Sequence, residues 1–480
     1  MRTRATIILA CCITMLACIG CTDRNAPSDG TSSMADTRRN PEYLYDIDAL
    51  PEITISLTEE DWNTYLKNYD RNKHNDLYVP ARWTFRKGEE VWHRDSVGLR
   101  PRGNSSRRRP EGSQGQTHQK DNTDWHHAHF GIHFTEYATG QRFFGSDRLV
   151  LKWFHGDPSY CREIFCYDLF RRFKVWTAPR ASYCRLYVHI DGDTKPAYFG
   201  VYAMIEGVRK GWIDDRMKDG YLPDNAGNMW KAAYNMNGPA DLSDFQSTQT
   251  SKMGISNETR AYSYSLKTNK KNGLPAAKEE LFNFMEKMRP LSSGSQQLQQ
   301  YIEQHLDVDV FLRYLAVNVA VGMWDDYWVN ANNYYFYFDS SHRFYFIPYD
   351  YDNTLGTTKH INNMKNAGTQ DPLNWGSREG NRLLVKKVLS IKAFEDTYKQ
   401  YLKTIVTSAE LMQPDAAMQR IRHFQQMIED YVSNDTGEDM AIADMPRQDE
   451  GEIEYRLLSG DSNGADGSNF FRTKAASVKW

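Results

Sequence analysis

The stretch WDDYWVNANNYYFYFDSSHRFYFIPYDYDNTLG, residues 324–356, places acidic and amide side chains on both sides of a predicted β-hairpin. Aromatic strands at Tyr334–Phe338 and Arg343–Ile347 flank a polar turn at 339–342. Closing this hairpin brings its two ends together, so the polar residues that precede it would face those that follow it. The residues that would meet are Asp325, Asp326, Asn330 and Asn333 on one side, and Asp350 and Asp352 on the other.

Carboxylate and amide oxygens in such a cluster suit Mg²⁺ or Mn²⁺ better than Zn²⁺. Protein kinases place the same residue types in the same order: an aspartate base, an asparagine five residues later, and then a metal-binding aspartate near a glycine. Asp325 and Asn330 have this spacing, and Asp350 stands where the metal-binding aspartate would. The alternative is that these residues only form turns and cap strands, as Asp and Asn do in many proteins.

Three further motifs precede this stretch. Residues 98–106 read GLRPRGNSS, residues 149–172 read LVLKWFHGDPSYCREIFCYDLFRR, and residues 200–206 read GVYAMIE. Together with residues 324–356 they resemble, in the same order, the motifs of the CotH kinase family of spore-coat-type atypical kinases. The resemblance covers about residues 51–356. It implies an α+β fold of a diverged protein-kinase type, with a β-rich N-terminal lobe and a mainly helical C-terminal lobe, which binds ATP and phosphorylates protein.

The kinase-like order assigns a role to each polar residue around the hairpin. Asp325 or Asp326 would accept the proton of an acceptor hydroxyl. The spacing to Asn330 favours Asp325, and Asp326 stays an alternative. The expected metal ligands are Asn330, Asn333, Asp350 and Asp352.

Nucleotide phosphates would be held by the loop that contains the first of these motifs. Arginine contacts phosphate through two parallel hydrogen bonds, and glycine lets the backbone approach closely. The loop lacks Gly-Lys-Ser/Thr and is therefore not a Walker loop. Its three arginines at 107–109 would by themselves indicate a solvated surface. The residues expected to contact the nucleotide here are Arg100, Arg102, Gly103, Asn104, Ser105 and Ser106.

A kinase-like site also needs a strand lysine that pairs with a helix glutamate. Lys152 and Glu163 are the candidates, and Glu206 would lie near the adenine or a metal; the alternative for Lys152 and Glu206 is a solvated surface position. The chain departs from the family where a lysine tends to precede the strand after the Ser-Ser loop, because residues 126–129 read HHAH. Since histidine holds little positive charge at pH 7, the sequence predicts either weak nucleotide binding or a phosphate contact made by Lys152 or Lys120 instead.

The N-terminus predicts export. Arg2 and Arg4 precede the apolar segment 5–17, which is too short to cross a bilayer. We expect residues 1–21 to be a lipoprotein signal peptide with Cys21 as the lipidated residue. Cys18 is the alternative anchor, and a plain secretory signal is the other alternative. The protein would then be held outside the cytoplasm, at the outer membrane or cell surface, through a lipid anchor only.

Composition adds few constraints. A net charge of −3 over 480 residues gives no indication of nucleic-acid binding. Lipidation would leave Cys161, Cys166 and Cys184, which allows one disulfide at most. The 29 Tyr and 12 Trp are typical of a buried core and also of carbohydrate-binding surfaces.

Periodicity predicts a β-rich front half and a helical back half, hence an α+β protein. The expected parts are a flexible tether at 22–50, a β-rich part at 51–210, a linker or insertion at 211–275, a helical part at 276–458 and a mobile tail at 459–480.

The expected function is a CotH-like kinase that uses Mg²⁺ or Mn²⁺ to transfer the γ-phosphoryl group of ATP to hydroxyl side chains of cell-envelope proteins. One alternative is a pseudokinase-like surface lipoprotein that binds a polymer or a protein. The other is a metal-dependent hydrolase, which would want histidine ligands beside the carboxylates. The histidines nearest in sequence are His342 and His360.

Overall fold

Seven strands of the N-terminal half close into a barrel in the computed structural model. They are β1 (Glu52–Leu57), β2 (Val79–Lys87), β3 (Glu90–Arg102), β4 (His129–His133), β5 (Arg148–Lys152), β6 (Ala181–Ile190) and β7 (Ala197–Glu206). Around the barrel they follow the order β1-β2-β3-β4-β5-β7-β6. Parallel pairing of β6 with β1, with Ile53 opposite Leu186, closes the ring. Closure leaves these strands without an open edge.

The structure describes residues 39–104, 106–157, 159–243, 247–256, 260–356, 367–376, 382–433 and 470–480. The predicted signal peptide with Cys18 and Cys21, the loop residue Ser105, and residues 459–469 of the predicted tail lie outside these ranges.

Four helices belong to the same half of the chain: α1 (Pro41–Leu44), α2 (Glu59–Arg71), α3 (Arg162–Arg172) and α4 (Lys210–Lys218). The Thr58 side chain caps α2 by accepting a hydrogen bond from Asp61 N at 3.1 Å. Helix α3 follows β5 and is buried over most of its length. Asp157 accepts hydrogen bonds from Arg162 N at 3.0 Å and Ser159 N at 3.1 Å, so this turn fixes the start of α3.

A second sheet has five strands: β8 (Asn228–Ala232), β9 (Met253–Gly254), β10 (Tyr264–Leu266), β11 (Tyr334–Phe338) and β12 (Phe344–Pro348). Its order is β12-β11-β8-β10-β9. The predicted hairpin is β11 and β12, with Phe336 opposite Phe346. Strand β8 pairs with β11 and so anchors the hairpin from the other side.

The remaining helices are α5 (Leu274–Met288), α6 (Gln296–His305), α7 (Val308–Ala320), α8 (Leu383–Leu389), α9 (Lys392–Thr407), α10 (Pro414–Ser433) and a C-terminal helix at Phe470–Ser477. Helix α7 is apolar on nearly every face and buries ten residues. A large apolar core joins α3, α7, the second sheet and the later helices, whereas a separate core of aromatic and aliphatic residues fills the barrel.

The predicted α+β class is confirmed, with strands first and most helices later. Three details differ from the expectation. The β-rich front half closes into a barrel, which the sequence pattern did not predict, because β1 pairs with the distant strand β6. The expected linker or insertion at 211–275 supplies α4 and three strands of the second sheet, and Tyr264 and Leu266 are buried in it.

The third difference concerns the two chain ends. Leu44, Tyr45 and Ile47, in the expected tether, are buried. In the expected mobile tail, Phe470 and Phe471 are fully buried. Both segments carry apolar side chains whose contacts lie far away in sequence. Among the described residues, no helix has the length and apolar character needed to cross a bilayer.

Candidate active site

Lys152, the last residue of β5, lies among three carboxylates. Its Nζ atom is 2.7 Å from Glu163 Oε2 on α3 and 3.1 Å from Asp352 Oδ2, and it donates a hydrogen bond to Asp350 Oδ1. The Lys152 side chain is 14% exposed. The structure therefore joins a strand, a helix and the segment after the hairpin at one ammonium group.

The charges at this point do not balance, since one ammonium faces three carboxyl groups. Burial by itself would lower the pKa of Lys152, but Asp350, Asp352 and Glu163 hold it well above its ordinary value. Burial raises the pKa of Glu163 to about 7, and burial raises that of Asp352 to about 6. For Asp350, burial acts in the same direction but Lys152 outweighs it and lowers the pKa. The centre thus carries an excess of negative charge that a further cation would offset.

Asp325 is held by side-chain amides. Its Oδ1 atom accepts hydrogen bonds from Asn330 Nδ2 at 2.5 Å and Asn332 Nδ2 at 3.1 Å, and Oδ2 accepts one from Asn333 Nδ2 at 3.0 Å. Burial raises the pKa of Asp325 to about 6, although the amides of Asn330 and Asn332 act against it. Asp325 is thus fixed in place while its carboxylate stays a better proton acceptor than an exposed one.

Asp326 points into the interior. It is 1% exposed, and its carboxylate accepts hydrogen bonds from Tyr314 OH at 2.8 Å and from Val329 N at 3.2 Å. These partners belong to α7 and to the loop itself. Of the two adjacent aspartates, the structure thus brings Asp325 to the polar centre and uses Asp326 to hold the loop on α7.

Asn353 connects the two halves of the site. Its Nδ2 atom donates to Asp352 Oδ1 at 3.0 Å and lies 3.5 Å from Asp325 Oδ2. Asn353 and Asn332 were not among the predicted site residues, although both belong to the Asn-rich stretches beside the hairpin. Asn333 and Asp350 adopt left-handed backbone conformations, with φ of 54° and 69°. Such strain in residues other than glycine concentrates at functional sites.

The loop after β3 approaches the same centre from the barrel. Arg102 donates a hydrogen bond to the hydroxyl of Tyr349, the neighbour of Asp350. Gly103 has a φ of +100°, and a Cβ atom there would lie 2.8 Å from the His129 ring, so glycine is required. Arg100 turns elsewhere and pairs with Asp76 and Tyr78. The carbonyl oxygen of Asn104 accepts a hydrogen bond from Arg107 N at 3.4 Å, a contact that stays within the loop.

The histidines at 126–129 are structural in their contacts. His129 Nδ1 accepts a hydrogen bond from Trp153 N at 3.2 Å, and Nε2 is 3.0 Å from Ser106 Oγ. Burial lowers the pKa of His129 well below its ordinary value. His129 is therefore neutral and contacts Ser106. The positive charge at the polar centre is the protonated ammonium group of Lys152.

Glu206, at the end of β7, is 4% exposed and already paired. Its carboxylate accepts hydrogen bonds from Arg216 at 2.7 and 2.9 Å and from Arg180 Nη1 at 3.1 Å. The structure does not bring Glu206 to the polar centre, nor does it leave it on the surface.

Among the described residues, no group of three or more His, Cys, Asp or Glu side chains is arranged as a ready metal site. Lys152 occupies the space between Asp350 and Asp352. The chemistry of the donors nevertheless fits a hard divalent cation, since carboxylate oxygens carrying excess negative charge are the ligands that Mg²⁺ prefers.

These observations define an α+β protein with a lysine–carboxylate centre between a β-barrel and a strand hairpin. The chain belongs to the CotH family, since a family model described as CotH kinase protein matches residues 99–456.

Curated relatives agree with this assignment. The chain is 25% identical over 303 residues to the inner spore coat protein H of Bacillus subtilis, which covers 61% of this chain and 72% of that protein. It is 22% identical over 257 residues to invasin CotH7 of Rhizopus delemar, and 20% identical over 255 residues to spore coat protein homolog 1 of the same organism. Each of these matches covers 52% of this chain but only 37% of the fungal protein.

Proposed function

We propose that this protein is an ATP-dependent protein kinase that transfers the γ-phosphoryl group to hydroxyl side chains of proteins in the cell envelope. The observation that carries the proposal is the salt bridge between Lys152 and Glu163, placed beside Asp350 and Asp352 and across from Asp325. Protein kinases use a strand lysine paired with a helix glutamate, a metal-binding aspartate and a separate base. Family membership supports the same activity.

The proposal also covers the lobe arrangement. The barrel with α3 would act as the N-terminal lobe, because it carries Lys152 and Glu163. The second sheet and later helices would act as the C-terminal lobe, since they carry Asp325 and Asp350. The nucleotide would lie between them, along the loop at Arg102–Asn104 and over Lys152.

In this mechanism Asp325 is the base. The acceptor oxygen bonds to the γ-phosphorus, the bond from that phosphorus to the bridging oxygen breaks, the hydroxyl proton passes to Asp325, and ADP leaves. Asn330 and Asn333, which the sequence assigned to a metal ion, would instead hold Asp325 for this role through their side-chain amides. Lys152 stays protonated and offsets phosphate charge. A Mg²⁺ or Mn²⁺ ion held by Asp350 and Asp352 would supply further charge neutralisation when bound.

The proposal also includes a location for the protein outside the cytoplasm. The signal-like N-terminus with Cys21 supports a lipid anchor. The relatives named as a spore coat protein and an invasin support an envelope or surface position.

A second candidate function is binding of a polymer at the surface. Tyr221 is 51% exposed and stacks on Trp176 with ring centroids 5.1 Å apart and an interplanar angle of 4°. Flat exposed rings of this kind suit contacts with apolar faces of a ligand. This activity would not require Asp325 or Lys152.

Transfer of ³²P from [γ-³²P]ATP by purified residues 22–480, with Mg²⁺ or Mn²⁺, tests the proposal. Incorporation into the protein or an acceptor should occur in the wild type and be lost in Asp350→Ala and Asp325→Ala. The exposed Asp95, replaced by Ala, is a matched control and should leave incorporation unchanged. Equal incorporation in all four proteins, or none in the wild type together with no metal-dependent nucleotide binding by calorimetry, would reject kinase activity.

A further inference from the structure

Four arginine side chains line one cavity on the face of the barrel beside the proposed nucleotide region. We call it the basic cleft and define it by Arg100, Arg102, Arg148 and Arg209. The cleft is small and partly open, with about 20 Å³ available to the centre of a water-sized sphere, and Tyr78 also lines it. Strands β3 and β5 and the segment after β7 each contribute at least one of these arginines. The sequence motifs had indicated only Arg100 and Arg102.

Asp76 pairs with Arg100, and the other arginines of the cleft donate mainly to tyrosine hydroxyls. Tyr78 OH accepts hydrogen bonds from Arg100 Nε at 3.1 Å and from Arg148 Nη1 at 2.9 Å, and Tyr335 OH accepts one from Arg209 Nη1 at 3.0 Å. The Nε atom of Arg148 is buried and has no hydrogen-bond partner in the described part of the chain. Its nearest carboxylate oxygen, on Asp147, is 3.7 Å away. The guanidinium groups are thus held in place, while the Nε–H donor of Arg148 makes no hydrogen bond in the described part of the chain.

Positive charge is in excess around the cleft. Lys231 and Lys267 lie near Arg209, whose charge acts to lower the pKa of each. For Lys231, Tyr335 is the largest influence and raises the pKa, but burial, Arg102 and Arg209 outweigh it. For Lys267, burial is the larger cause, and together with Arg209 it lowers the pKa well below its ordinary value, which favours the neutral amine. Burial raises the pKa of Tyr335, but Arg209, Lys231 and Arg102 outweigh it and lower that pKa well below its ordinary value. The carboxylates nearest to these arginines and lysines are Asp76, Asp147 and Asp350, the last of which is already paired with Lys152.

We infer that the basic cleft binds a phosphate-class oxyanion through Arg148, Arg209 and Arg100. Guanidinium groups match the tetrahedral oxygens of such anions with parallel hydrogen bonds. Guanidinium groups that outnumber their counterions repel one another, and a bound anion reduces that repulsion. Arg148 lies away from the proposed catalytic centre, because it precedes Lys152 by four residues on β5, which is about 13 Å along a strand. Arg102 lies where the cleft adjoins that centre, since it donates to Tyr349 beside Asp350. The inference goes beyond the proposed function and does not require it.

Thermal unfolding of residues 22–480 in EDTA tests the site without metal or turnover. Potassium phosphate or tripolyphosphate should raise the unfolding midpoint by about 2 °C or more over potassium chloride at the same ionic strength. Arg148→Gln and Arg209→Gln should each remove most of this shift. The shift of each variant is measured from its own midpoint in chloride, because each substitution also removes a hydrogen bond to a tyrosine. Arg86, half exposed on β2, provides the matched control Arg86→Gln, which should keep the shift.

Three results would overturn the inference: no shift in the wild type, an equal shift in Arg148→Gln and Arg209→Gln, or an equal loss in Arg86→Gln. Asp350→Ala separates this site from the proposed kinase. If that variant loses phosphoryl transfer but keeps the phosphate shift, both proposals stand. If the wild type shows the shift without any transfer, kinase activity fails and the oxyanion site stands.

Competition assigns the source of the anion. If phosphate no longer raises the unfolding midpoint once metal-free ATP is present, the two compete for the cleft. The anion is then part of the nucleotide. Additive shifts indicate a separate phosphorylated ligand.

Discussion

Lys152 on β5 and Glu163 on α3 form a salt bridge of 2.7 Å, and the same ammonium group reaches Asp350 and Asp352 behind the hairpin. Residues separated by almost 200 positions therefore share one charge centre. Because three carboxylates compete for one lysine, the centre has a net negative charge. The expected effect of replacing Lys152 follows from this excess of negative charge.

Replacing Lys152 by Met should abolish phosphoryl transfer and at the same time strengthen binding of Mn²⁺ in the absence of nucleotide. The variant loses the positive charge that offsets phosphate, a loss expected to lower turnover by at least about 10²-fold. Its three carboxylates are then left without their cation, which favours a divalent ion. Calorimetric titration with Mn²⁺ measures the second effect. Weaker Mn²⁺ binding in Lys152→Met than in the wild type would contradict this arrangement.

Asp325 and Asp326 should separate into a catalytic and a structural residue. Asp325→Ala should lose transfer and should cost less stability than Asp326→Ala, because the asparagine amides that it leaves without an acceptor are only partly buried. Asp326→Ala leaves the buried Tyr314 hydroxyl without its acceptor, which should cost about 1–3 kcal/mol of unfolding free energy. Denaturant unfolding and the ³²P assay, run on both variants, distinguish the two roles. The reverse pattern would make Asp326 the base.

Acid should destabilise the protein through Glu206. Burial alone would raise the pKa of Glu206, but Arg216 and Arg180 outweigh it and lower that pKa to about 2. Since the folded pKa lies below the unfolded value of about 4.5, the pair stabilises fully above pH 4.5, and its contribution is lost as the pH falls toward 2. The contribution is on the order of 3 kcal/mol.

Urea unfolding midpoints measured between pH 2 and pH 6 check this expectation. Glu206→Gln should be less stable than the wild type at pH 6 and should show a flatter dependence on pH below 4.5. Glu89, which is exposed in the turn between β2 and β3, serves as the control, and Glu89→Gln should follow the wild type. Parallel curves for Glu206→Gln and the wild type would exclude a stabilising role for this pair.

The C-terminal helix should be part of the stable fold. Phe471 is fully buried and its ring centroid lies 5.5 Å from that of Phe165 on α3. Phe471→Ala should therefore lower the unfolding free energy by about 3–5 kcal/mol. Since α3 carries Glu163, phosphoryl transfer should fall as well. The exposed Lys479, replaced by Ala, should change stability by less than about 0.5 kcal/mol. A Phe471→Ala protein as stable as Lys479→Ala would show that the helix does not support α3.

Much of the secondary structure could be predicted locally. The hairpin strands β11 and β12 depend on neighbouring residues, so their sequence pattern located them within one position. Strand β12 begins at Phe344 and not at Arg343, a shift of one residue that leaves the element unchanged.

The site was predictable in composition but not in detail. Sequence spacing brought Asp325, Asp350 and Asp352 into one group, and it named Lys152 and Glu163 as a pair. It could not choose between Asp325 and Asp326, because adjacent side chains point in different directions that depend on packing. It also missed Asn332 and Asn353, whose partners are set by how the loops fold back.

By itself, the sequence determined the α+β class, the hairpin that joins two polar clusters, and the family motifs, because these depend on periodicity and on residues close together in the chain. The tertiary structure alone decided the closure of the barrel through β1 and β6, the burial of Asp326 and Glu206, and the meeting of Arg148 and Arg209 with Arg100 in one cleft. Each of these depends on pairing between distant segments, where burial and long-range charge, rather than local preference, fix the position of a side chain.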